Sequence, residues 1–370
     1  MCAEARRRAR DLGISIGFFP PGPLNAITDV KGVRVGHCTL VEGSGPLVAG
    51  RGPTRTGVTA VVVDQCEQGG VLHRVFAGGF VLAGAGEATG LMQALEWGLI
   101  ENPIMLTNTM SVGLVRDAVM SYMAERHPSL GLTRDPRIPI VVECDDSYLN
   151  DMKGRHVRPE HVFAALDSAR SGPVPEGNVG GGTGMTSFDF KAGIGTASRR
   201  LPQESGGYTL GALVMANFGE RRRLQVLGVP VGLEITDLLT TDHVEGSCAV
   251  VVATDAPMLS HQLAQLARRA ALGLGRMGSY GSFGSGEVVI AFSTATAIPA
   301  SIDCWSIEVE ALIGSRKRLN PLFEAAIEAV EESVLNSLLM AETMVGRDGN
   351  VAYALPVDRL LEVLRKYGRI

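Results

Sequence analysis

Short apolar runs alternate along the chain with segments in which apolar residues recur every three or four positions. Compact runs rich in Val and Ile predict buried strands, and the helical period predicts amphipathic helices. The predicted strands are 59–64, 104–107, 138–143, 211–217, 224–229, 247–253 and 286–293. The predicted helices are 91–102, 115–125, 159–170, 258–274 and 321–342. This alternation favours a mixed α/β (α+β) fold built in layers.

The chain of 370 residues is predicted to form one domain, 1–370. It is longer than a usual domain of about 150 residues, but no internal repeat and no low-complexity linker divides it. Glycine is unusually frequent, with 46 of 370 residues, against a background near 7%. Because no repetitive sequence accompanies this excess, it predicts a compact enzyme-like fold with many tight turns.

The charge balance indicates neither a nucleic-acid partner nor a membrane partner. The formal net charge is −5, whereas a nucleic-acid-binding domain usually carries a basic patch. One basic run, Arg6, Arg7, Arg8 and Arg10, is interpreted as a solvated N-terminal segment. No apolar stretch reaches the roughly 18 residues of a membrane span, and the N-terminus lacks the apolar region of a secretory signal.

The cysteines are scattered and contain no C-x-x-C pair. They are Cys2, Cys38, Cys66, Cys144, Cys248 and Cys304. This usage predicts reduced, mostly buried thiols in a cytoplasmic protein.

Common cofactor and nucleophile motifs are absent from the sequence. There is no G-x-x-x-x-G-K-[ST] loop, no H-E-x-x-H helix and no G-x-S-x-G elbow. The seven histidines show no metal-ligand spacing. The run 180–184 (GGGTG) could cradle an anion through its N–H groups or form a turn that brings backbone close to a substrate. The turn is favoured because neither a lysine nor a helical pattern follows at the right place.

A polar linker meets a strongly apolar strand at Gly246 and Ser247. One interpretation is simply the start of a strand. The other is a self-cleavage site, since a serine hydroxyl can attack the preceding carbonyl and glycine leaves that carbonyl unobstructed. Cleavage would expose a serine α-amino group, with a pKa of about 8, which can act as the general base for its own hydroxyl.

Blocks of sequence spread over most of the chain resemble one known family. The blocks are 24–37 (LNAITDVKGVRVGH), 84–90 (GAGEATG), 107–113 (TNTMSVG), 148–151 (YLND), 180–185 (GGGTGM), 191–196 (KAGIGT), 246–247 (GS), 284–287 (GSGE) and 341–349 (AETMVGRDG). In this order they resemble the self-processing aminopeptidases that include the DmpA-type L-aminopeptidase/D-esterase and the β-peptidyl aminopeptidases.

The resemblance implies a fold, a processing event and an assembly. The fold is a four-layer αββα sandwich of the DmpA and ornithine acetyltransferase type. The chain is cut between Gly246 and Ser247 into an α fragment, 1–246, and a β fragment, 247–370. The processed pairs form a homotetramer without metal or organic cofactor.

Roles for individual residues follow from the same resemblance. Ser247 corresponds to the nucleophile of both processing and catalysis, with Ser285 and Glu287 as its accessory pair. On a strand, the i and i+2 spacing of Ser285 and Glu287 puts both side chains on one face. Asn217 corresponds to the oxyanion-stabilising amide, worth a factor of about 10²–10³ in rate. Glu143 corresponds to the carboxylate that holds the free ammonium group of the substrate.

Each accessory side chain also has an ordinary structural interpretation. Ser285 and Glu287 could form the exposed polar face of an edge strand. Asn217 could be a turn residue at a strand end, and Glu143 a solvated charge at the end of its strand.

The sequence departs from the family pattern at Ala83, Ala85, Met110 and Asp145. Many members have asparagine at the first two positions, histidine at the third and an aromatic residue at the last. If these positions line the cleft, the pocket is smaller, less hydrogen-bonding or more acidic than usual.

The preferred functional hypothesis is a serine aminopeptidase or amidase that acts through an acyl-enzyme on Ser247. Its substrates would be short peptides, amides or esters with an N-terminal β-amino, D-alanyl or L-amino residue. The main alternative is an acyltransferase of the ornithine acetyltransferase type, although that family cuts before threonine in a Lys-Gly-Thr setting. A third alternative is an unprocessed small-molecule-binding protein.

Overall fold

The computed structural model describes residues 5–101, 103–241, 246–300 and 305–370. Within them the strands are β1 (Val33–Glu42), β2 (Thr54–Val63), β3 (Glu67–Gln68), β4 (Val71–Gly84), β5 (Ala88–Thr89), β6 (Leu99–Ile100), β7 (Ile104–Asn108), β8 (Ile140–Cys144), β9 (Thr186–Ser187), β10 (Phe190–Lys191), β11 (Ile194–Arg200), β12 (Thr209–Asn217), β13 (Ser247–Thr254), β14 (Gly286–Ser293), β15 (Ile298–Pro299), β16 (Met344–Val345) and β17 (Val351–Ala352). The helices are α1 (Leu91–Trp97), α2 (Val112–Arg126), α3 (Pro159–Asp167), α4 (Val231–Glu234), α5 (Ser260–Met277), α6 (Arg316–Leu339) and α7 (Val357–Lys366).

Two mixed sheets form the centre of the molecule. The smaller sheet has the order β1-β2-β7-β8-β5, and its only parallel pair within the described residues is β7 with β8. The larger sheet has the order β11-β12-β13-β14-β4-β15, with β3 and β6 also paired to β4. Its central strands β13 and β14 run parallel, and β12 and β4 flank them antiparallel.

The alternation of side chains along β13 shows how the layers are packed. Ala249 and Val251 lie in an apolar core that also contains Ile104 and Val142 of the smaller sheet. The intervening Val250 packs instead into a second core together with α5 and α6. On the far side, α2 and α3 cover the outer face of the smaller sheet in a third core. The architecture is therefore the αββα sandwich expected from the resemblance.

Most of the expected elements are confirmed with small changes of boundary. Strand 286–293 is reproduced residue for residue, and 321–342 corresponds to α6. Helix 91–102 is shorter than expected, because Gly98 adopts φ 68 and ends α1. Leu99–Ile100 then forms strand β6. The position of Asn102 lies outside the described residues.

The expected strand 224–229 is wrong. Leu227 and Gly228 have φ 53 and φ 74, so the chain turns and Val226 bonds back to Val229. The segment is apolar because Leu224, Val226 and Val229 pack into the core beside α5 and α6. The true neighbours of β12 are β11 and β13.

The N-terminal arginines, apart from the exposed Arg7, do not form a solvated segment. Arg8 Nε lies 2.6 Å from a carboxylate oxygen of Glu176, whose side chain is almost fully buried. Arg10 pairs with buried Glu332 at 2.9 Å, and Arg6 donates to the carbonyl oxygens of Leu338 and Leu355. The basic run therefore fixes the N-terminal segment to the body of the protein.

Other sequence expectations concern thiols and membranes. Cys38, Cys66, Cys144 and Cys248 are free, and all but the half-buried Cys38 are buried, as expected. Cys2 and Cys304 lie outside the described residues. Among the helices in the described part of the chain, none combines the length and apolar character needed to span a membrane.

A buried ion network joins β11 to α6. Arg199 is fully buried, and its guanidinium donates to Glu328 Oε2 at 2.9 Å and to Glu332 Oε2 at 2.8 Å. Glu332 also accepts from Arg10, so two arginines and two glutamates share the site. Removing one member of a buried network leaves a charge without compensation, which is far more costly than losing a surface pair.

We expect Arg199→Met to lower the free energy of unfolding by about 3–5 kcal/mol, because Glu328 and Glu332 would stay buried without their shared partner. The matched control is Lys366→Met, which removes an exposed pair with Glu234 and should cost about 0–1 kcal/mol. Thermal midpoints measured at one pH and one protein concentration compare the two. Equal midpoints would contradict a stabilising role for the network.

Candidate active site

Ser247 is the first residue of β13, which is a central strand of the larger sheet. Its Cα is opposite Asn217 on β12 and opposite Gly286 on β14. Strand alternation puts its side chain on the same face as Ala249, toward the other sheet. Ser247 lies at the end of its strand, and because it is only 7% exposed it has little access to bulk water.

Gly246 occupies a position where no side chain fits. A Cβ there would overlap the carbonyl oxygen of Asn217 and approach the Cα of Phe218 to 3.1 Å. Glycine is therefore required by the close approach of β12, in addition to leaving its own carbonyl open to attack. The sheet brings the Gly246–Ser247 peptide against the end of β12.

Asn217 is held in one orientation by backbone groups on both sides. Its Oδ1 accepts the N–H of Thr186 at 2.9 Å, and its Nδ2 donates to the carbonyl oxygen of Asp145 at 2.9 Å. An amide nitrogen carries two hydrogens, so Nδ2 keeps one N–H for a further acceptor beside Ser247. Asn217 is 4% exposed and paired on β12, so the strand-end turn interpretation is wrong.

Lys191 supports the loop that orients Asn217, and the sequence patterns gave no role to this residue. Its buried Nζ donates to the carbonyl oxygens of Gly182 at 3.2 Å and Met185 at 2.7 Å. Burial lowers the pKa of Lys191 to about 7, and the carboxyl group of Asp146 opposes the change. The lysine thereby holds residues 182–192 around the N–H of Thr186.

Ser285 lies directly before β14 and not on it, but its side chain still meets that of Glu287, the second residue of the strand. Ser285 Oγ donates to Glu287 Oε1 at 3.0 Å. Both residues are 2% exposed and β14 is a central strand, so the interpretation as an exposed edge is wrong. Burial raises the pKa of Glu287, and hydrogen bonds from Ser279 and Ser285 oppose the rise.

Ser279 is a member of this group that the sequence patterns did not reveal. Its Oγ lies 2.7 Å and 2.8 Å from the two carboxylate oxygens of Glu287. The only sequence signal is its place directly after Gly278, which has φ 120 and ends α5. Nothing in the spacing between Ser279 and Glu287 indicates that the two meet.

Glu143 lies near the end of β8 and is 4% exposed, so it is not a solvated strand-end charge. It accepts hydrogen bonds from the hydroxyl of Thr109 and, at 3.1 Å, from the N–H of Glu87. Burial raises the pKa of Glu143, and these two hydrogen bonds oppose the rise. Within the described residues no lysine, arginine or histidine pairs with this carboxylate.

Two cavities flank the start of β13. The apolar cavity, about 300 Å³, extends from Glu143 and Gly286 along Val81, Leu91, Met92, Leu95, Val142 and Val288. The polar cavity, about 70 Å³, is lined by Gly219, Glu220, Gly246, Ser279, Tyr280, Ser282, Ser285 and Glu287. Gly286 lines the apolar cavity and Gly246 lines the polar cavity. Ser247 is paired with Gly286 in the sheet and directly follows Gly246 in the chain.

Two glycines keep the path from Ser247 to Glu143 open. A Cβ at Gly286 would lie 3.2 Å from Ser247 Oγ and 2.6 Å from the carbonyl oxygen of Ala85. A Cβ at Gly86 would lie 2.7 Å from Glu143 Oε1 and 3.7 Å from the Cα of Gly286. The hydroxyl and the carboxylate therefore face the same end of the apolar cavity.

The positions that depart from the family pattern lie at different depths. Ala83 lines the apolar cavity, and Ala85 packs against Gly286 at its end. Asp145 holds Asn217 through its carbonyl, while its carboxylate accepts the N–H of Ser147. Met110 is exposed and does not line the cavity. Of these four positions, Ala83 therefore lines the cavity, as expected for a position in the substrate cleft.

The glycine run 180–184 forms a turn and not an anion cradle. Gly180 and Gly181 donate their N–H groups to the hydroxyls of Thr39 and Thr59. Gly182 donates to the carbonyl oxygen of Val179. With these donors occupied, the turn packs against strand backbone, where a Cβ at Gly181 would lie 2.8 Å from the carbonyl oxygen of Leu106.

Solved structures define the class of protein to which this arrangement belongs. The L-aminopeptidase D-Ala-esterase/amidase of Ochrobactrum anthropi is described as a prototype of the serine aminopeptidases and as a variant of the Ntn hydrolase fold. It is 42% identical, with a TM-score of 0.90 over 98% of this chain and 99% of the other. The present chain has the same fold, which implies an N-terminal nucleophile.

Residues 25–352 match the family model for Peptidase family S58, and the chain belongs to this family. The β-peptidyl aminopeptidase BapA of Sphingosinicella microcystinivorans is 46% identical over 98% of this chain and 93% of the relative. The structure of the PH0078 protein of Pyrococcus horikoshii OT3 is 48% identical, with a TM-score of 0.92, over 98% of this chain and 100% of the other.

These similarities decide between the hypotheses for the enzyme class. The chain is a hydrolase with aminopeptidase activity, and the acyltransferase alternative is not favoured. The binding-protein alternative loses its support for the same reason.

We expect Gly286→Ala to reduce kcat/KM by on the order of 10²-fold, because a methyl group would displace the neighbouring hydroxyl from its reacting position. Gly275→Ala is the matched control, since a Cβ at that helical position meets nothing within 4 Å. Assays of both purified variants with one aminoacyl p-nitroanilide provide the comparison. Full activity in Gly286→Ala would show that the reacting atoms lie elsewhere.

Proposed function

We propose that the chain cleaves itself between Gly246 and Ser247 and then acts as an aminopeptidase with Ser247 as its N-terminal nucleophile. The observation that supports this most directly is the place of Ser247 between a polar cavity beside the Gly246–Ser247 peptide and an apolar cavity that ends at a buried carboxylate. The α fragment would be 1–246 and the β fragment 247–370.

The processing reaction begins with attack of Ser247 Oγ on the carbonyl carbon of Gly246. The hydroxyl proton is transferred to the leaving nitrogen as the C–N bond breaks, which leaves an ester between Gly246 and Ser247. Water then hydrolyses the ester and gives a Gly246 carboxylate and a free Ser247 hydroxyl, next to the α-amino group that was released when the C–N bond broke. The spare N–H of Asn217 Nδ2 is suited to stabilise the oxyanion formed in both steps.

Catalysis repeats this chemistry on a separate substrate. The α-amino group of Ser247 takes the hydroxyl proton while Oγ attacks the scissile carbonyl, and the proton passes to the leaving amine or alcohol. The acyl-enzyme is hydrolysed by water through the same base. Asn217 serves as oxyanion donor, and Ser285 and Glu287 support the charge that forms on the amino group.

The choice of an N-terminal residue follows from Glu143. A buried carboxylate without a cationic partner among the described residues is costly, and a substrate ammonium group would neutralise it. The apolar lining beyond it accepts the side chain of the released residue. We therefore propose short peptides, amides or esters with an unblocked N-terminus as substrates.

A panel of substrates is needed to decide which class of N-terminal residue the enzyme prefers. Relatives named β-peptidyl aminopeptidase support β-amino residues, and the relative named as an L-aminopeptidase and D-Ala-esterase/amidase supports L- and D-residues. Rates with β-homoamino, D- and L-aminoacyl p-nitroanilides would rank the three classes.

Assembly and location complete the proposal. We propose a homotetramer of processed pairs, which is the assembly that the family resemblance implies. The free cysteines support a reducing, cytoplasmic location.

Purified wild-type protein should give two bands on denaturing electrophoresis, and the smaller fragment should begin Ser-Cys-Ala-Val by Edman sequencing. We expect Ser247→Ala to remain one chain and to lose activity by on the order of 10⁶-fold, as expected for loss of a nucleophile. The control is Ser293→Ala, which changes a buried serine at the far end of β14. Turnover by an uncut Ser247→Ala chain would refute the assignment.

We expect Glu143→Gln to reduce kcat/KM for substrates with a free N-terminus by roughly 30-fold or more, mainly through KM. The reason is that a buried ammonium group would lose its counter-charge. Glu96→Gln removes the same charge from the exposed face of α1 and serves as the control. N-acetylated substrates, which carry no ammonium group, should be hydrolysed slowly and equally by wild type and variant. A proportional loss on both substrate types would argue against ammonium binding.

A further inference from the structure

Ser279 is held rigidly at the end of α5. Its backbone N–H donates to the carbonyl oxygen of Leu274 at 3.0 Å, which closes the last turn of the helix. Its Oγ accepts the N–H of Gly281 at 3.2 Å. The hydroxyl therefore has a fixed position and one occupied acceptor site.

This arrangement determines where the hydroxyl proton of Ser279 points. A serine hydroxyl donates once and accepts through its remaining lone pairs. Since Gly281 already donates to Oγ, the proton points to the carboxylate of Glu287, 2.7 Å from one oxygen and 2.8 Å from the other. A chain of hydrogen bonds thus runs from Gly281 through Ser279 to Glu287.

Glu287 also accepts a hydrogen bond from the hydroxyl of Ser285. Ser285 Oγ donates to it at 3.0 Å, so the lone pairs of Ser285 are left for the polar cavity. Gly246 lines the same cavity. A hydrogen-bond donor at the start of β13 would therefore find an acceptor in Ser285.

We propose that Ser279 is a positioning residue that fixes Glu287, so that Ser285 accepts a hydrogen bond from the α-amino group of Ser247. The inference rests on the proposed function, because that amino group exists only after cleavage at Gly246. Ser279 touches neither substrate nor the reacting atoms and acts through Glu287 alone.

The surroundings of Glu287 make its charge depend on these hydroxyls. Cys248 faces it from β13, and burial raises the pKa of that thiol far enough to keep it uncharged. Tyr280 and Glu220 line the cavity, and the hydroxyl of Tyr280 donates to Glu220 at 3.0 Å. Within the described residues no lysine, arginine or histidine lines the polar cavity. The hydroxyls of Ser279 and Ser285 are the groups that oppose the effect of burial on Glu287.

The sign of the expected pH effect follows from this balance. Burial raises the pKa of Glu287, and a hydroxyl donor lowers it by favouring the ionised form. Without the hydroxyl of Ser279, Glu287 takes up a proton at higher pH. Protonated Glu287 no longer fixes Ser285 as an acceptor, so the acidic limb of the kcat profile moves to higher pH.

The experiment compares Ser279→Ala, Ser279→Thr and the control Ser282→Ala, all as purified full chains. Ser282 lines the same cavity, and its backbone carbonyl accepts the N–H of Ser285, a hydrogen bond that the alanine variant retains. The measurement is kcat at saturating substrate, which reports groups in the enzyme–substrate complex. Saturation keeps Glu143 occupied by the substrate ammonium and so separates it from Glu287.

Ser279→Ala should shift the acidic limb upward by at most about one pH unit, because the α-amino group of Ser247 must also lose its proton on this limb. Ser279→Thr, which keeps the hydroxyl, and Ser282→Ala should both retain the wild-type profile. If Ser279→Ala does not fold, Ser279→Cys replaces it, because its weak S–H donor should shift the limb in the same direction. The proposal would be overturned if Ser279→Ala or Ser279→Cys had the same acidic limb as wild type, whatever the loss of rate.

Failure of this inference is distinguishable from failure of the proposed function. The proposed function fails if wild-type protein remains one chain or if Ser247→Ala turns over substrate. The inference fails alone when wild type is cleaved, Ser247→Ala is inactive and the acidic limb does not respond to the Ser279 hydroxyl.

Discussion

The parallel pairing of β13 with β14, flanked by β12, is the constraint on which the site depends. Register in the larger sheet puts Ser247 opposite Asn217 on one side and Gly286 on the other. A shift by one residue would turn Ser247 away from the other sheet and put Cys248 in its place. Glycine is required at 246 and 286 because backbone from β12 and from Ala85 approaches too closely for any Cβ.

Hydroxyl and amide donors stabilise the two carboxylates of the site, and no cation among the described residues pairs with either of them. Glu287 is bound by Ser279 and Ser285, and Glu143 by Thr109 and the N–H of Glu87. Burial raises the pKa of both groups, and the hydrogen bonds from these donors oppose the rise. Glu143 is thereby left without a cationic partner among the described residues, as the proposed binding of a substrate ammonium group requires.

The sequence predicts the layers well and the contacts between distant segments poorly. Strands such as 286–293 are visible because a short apolar run needs no partner to be recognised. The pair Ser285 and Glu287 follows from period two, whereas Ser279 approaches Glu287 only through the turn after Gly278. The prediction of a strand at 224–229 was wrong because Leu227 has φ 53, which turns the chain. The apolar character of the segment does not reveal this turn. The buried partners of Arg8 and Arg10 likewise come from residues more than 160 positions away.

Cutting the chain before Ser247 would leave its fold intact, because both proposed fragments share the same layers. Strand β12 precedes the junction and pairs along its length with β13, which follows it. Arg199 on β11 is bound by Glu328 and Glu332 of α6, so a buried ion network also crosses the two fragments. Since the junction lies at the end of the sheet, the proposed cleavage would remove no strand pairing and would free an amino group next to the hydroxyl of Ser247. The sheet that aligns the peptide would then also retain the proposed nucleophile in position after cleavage.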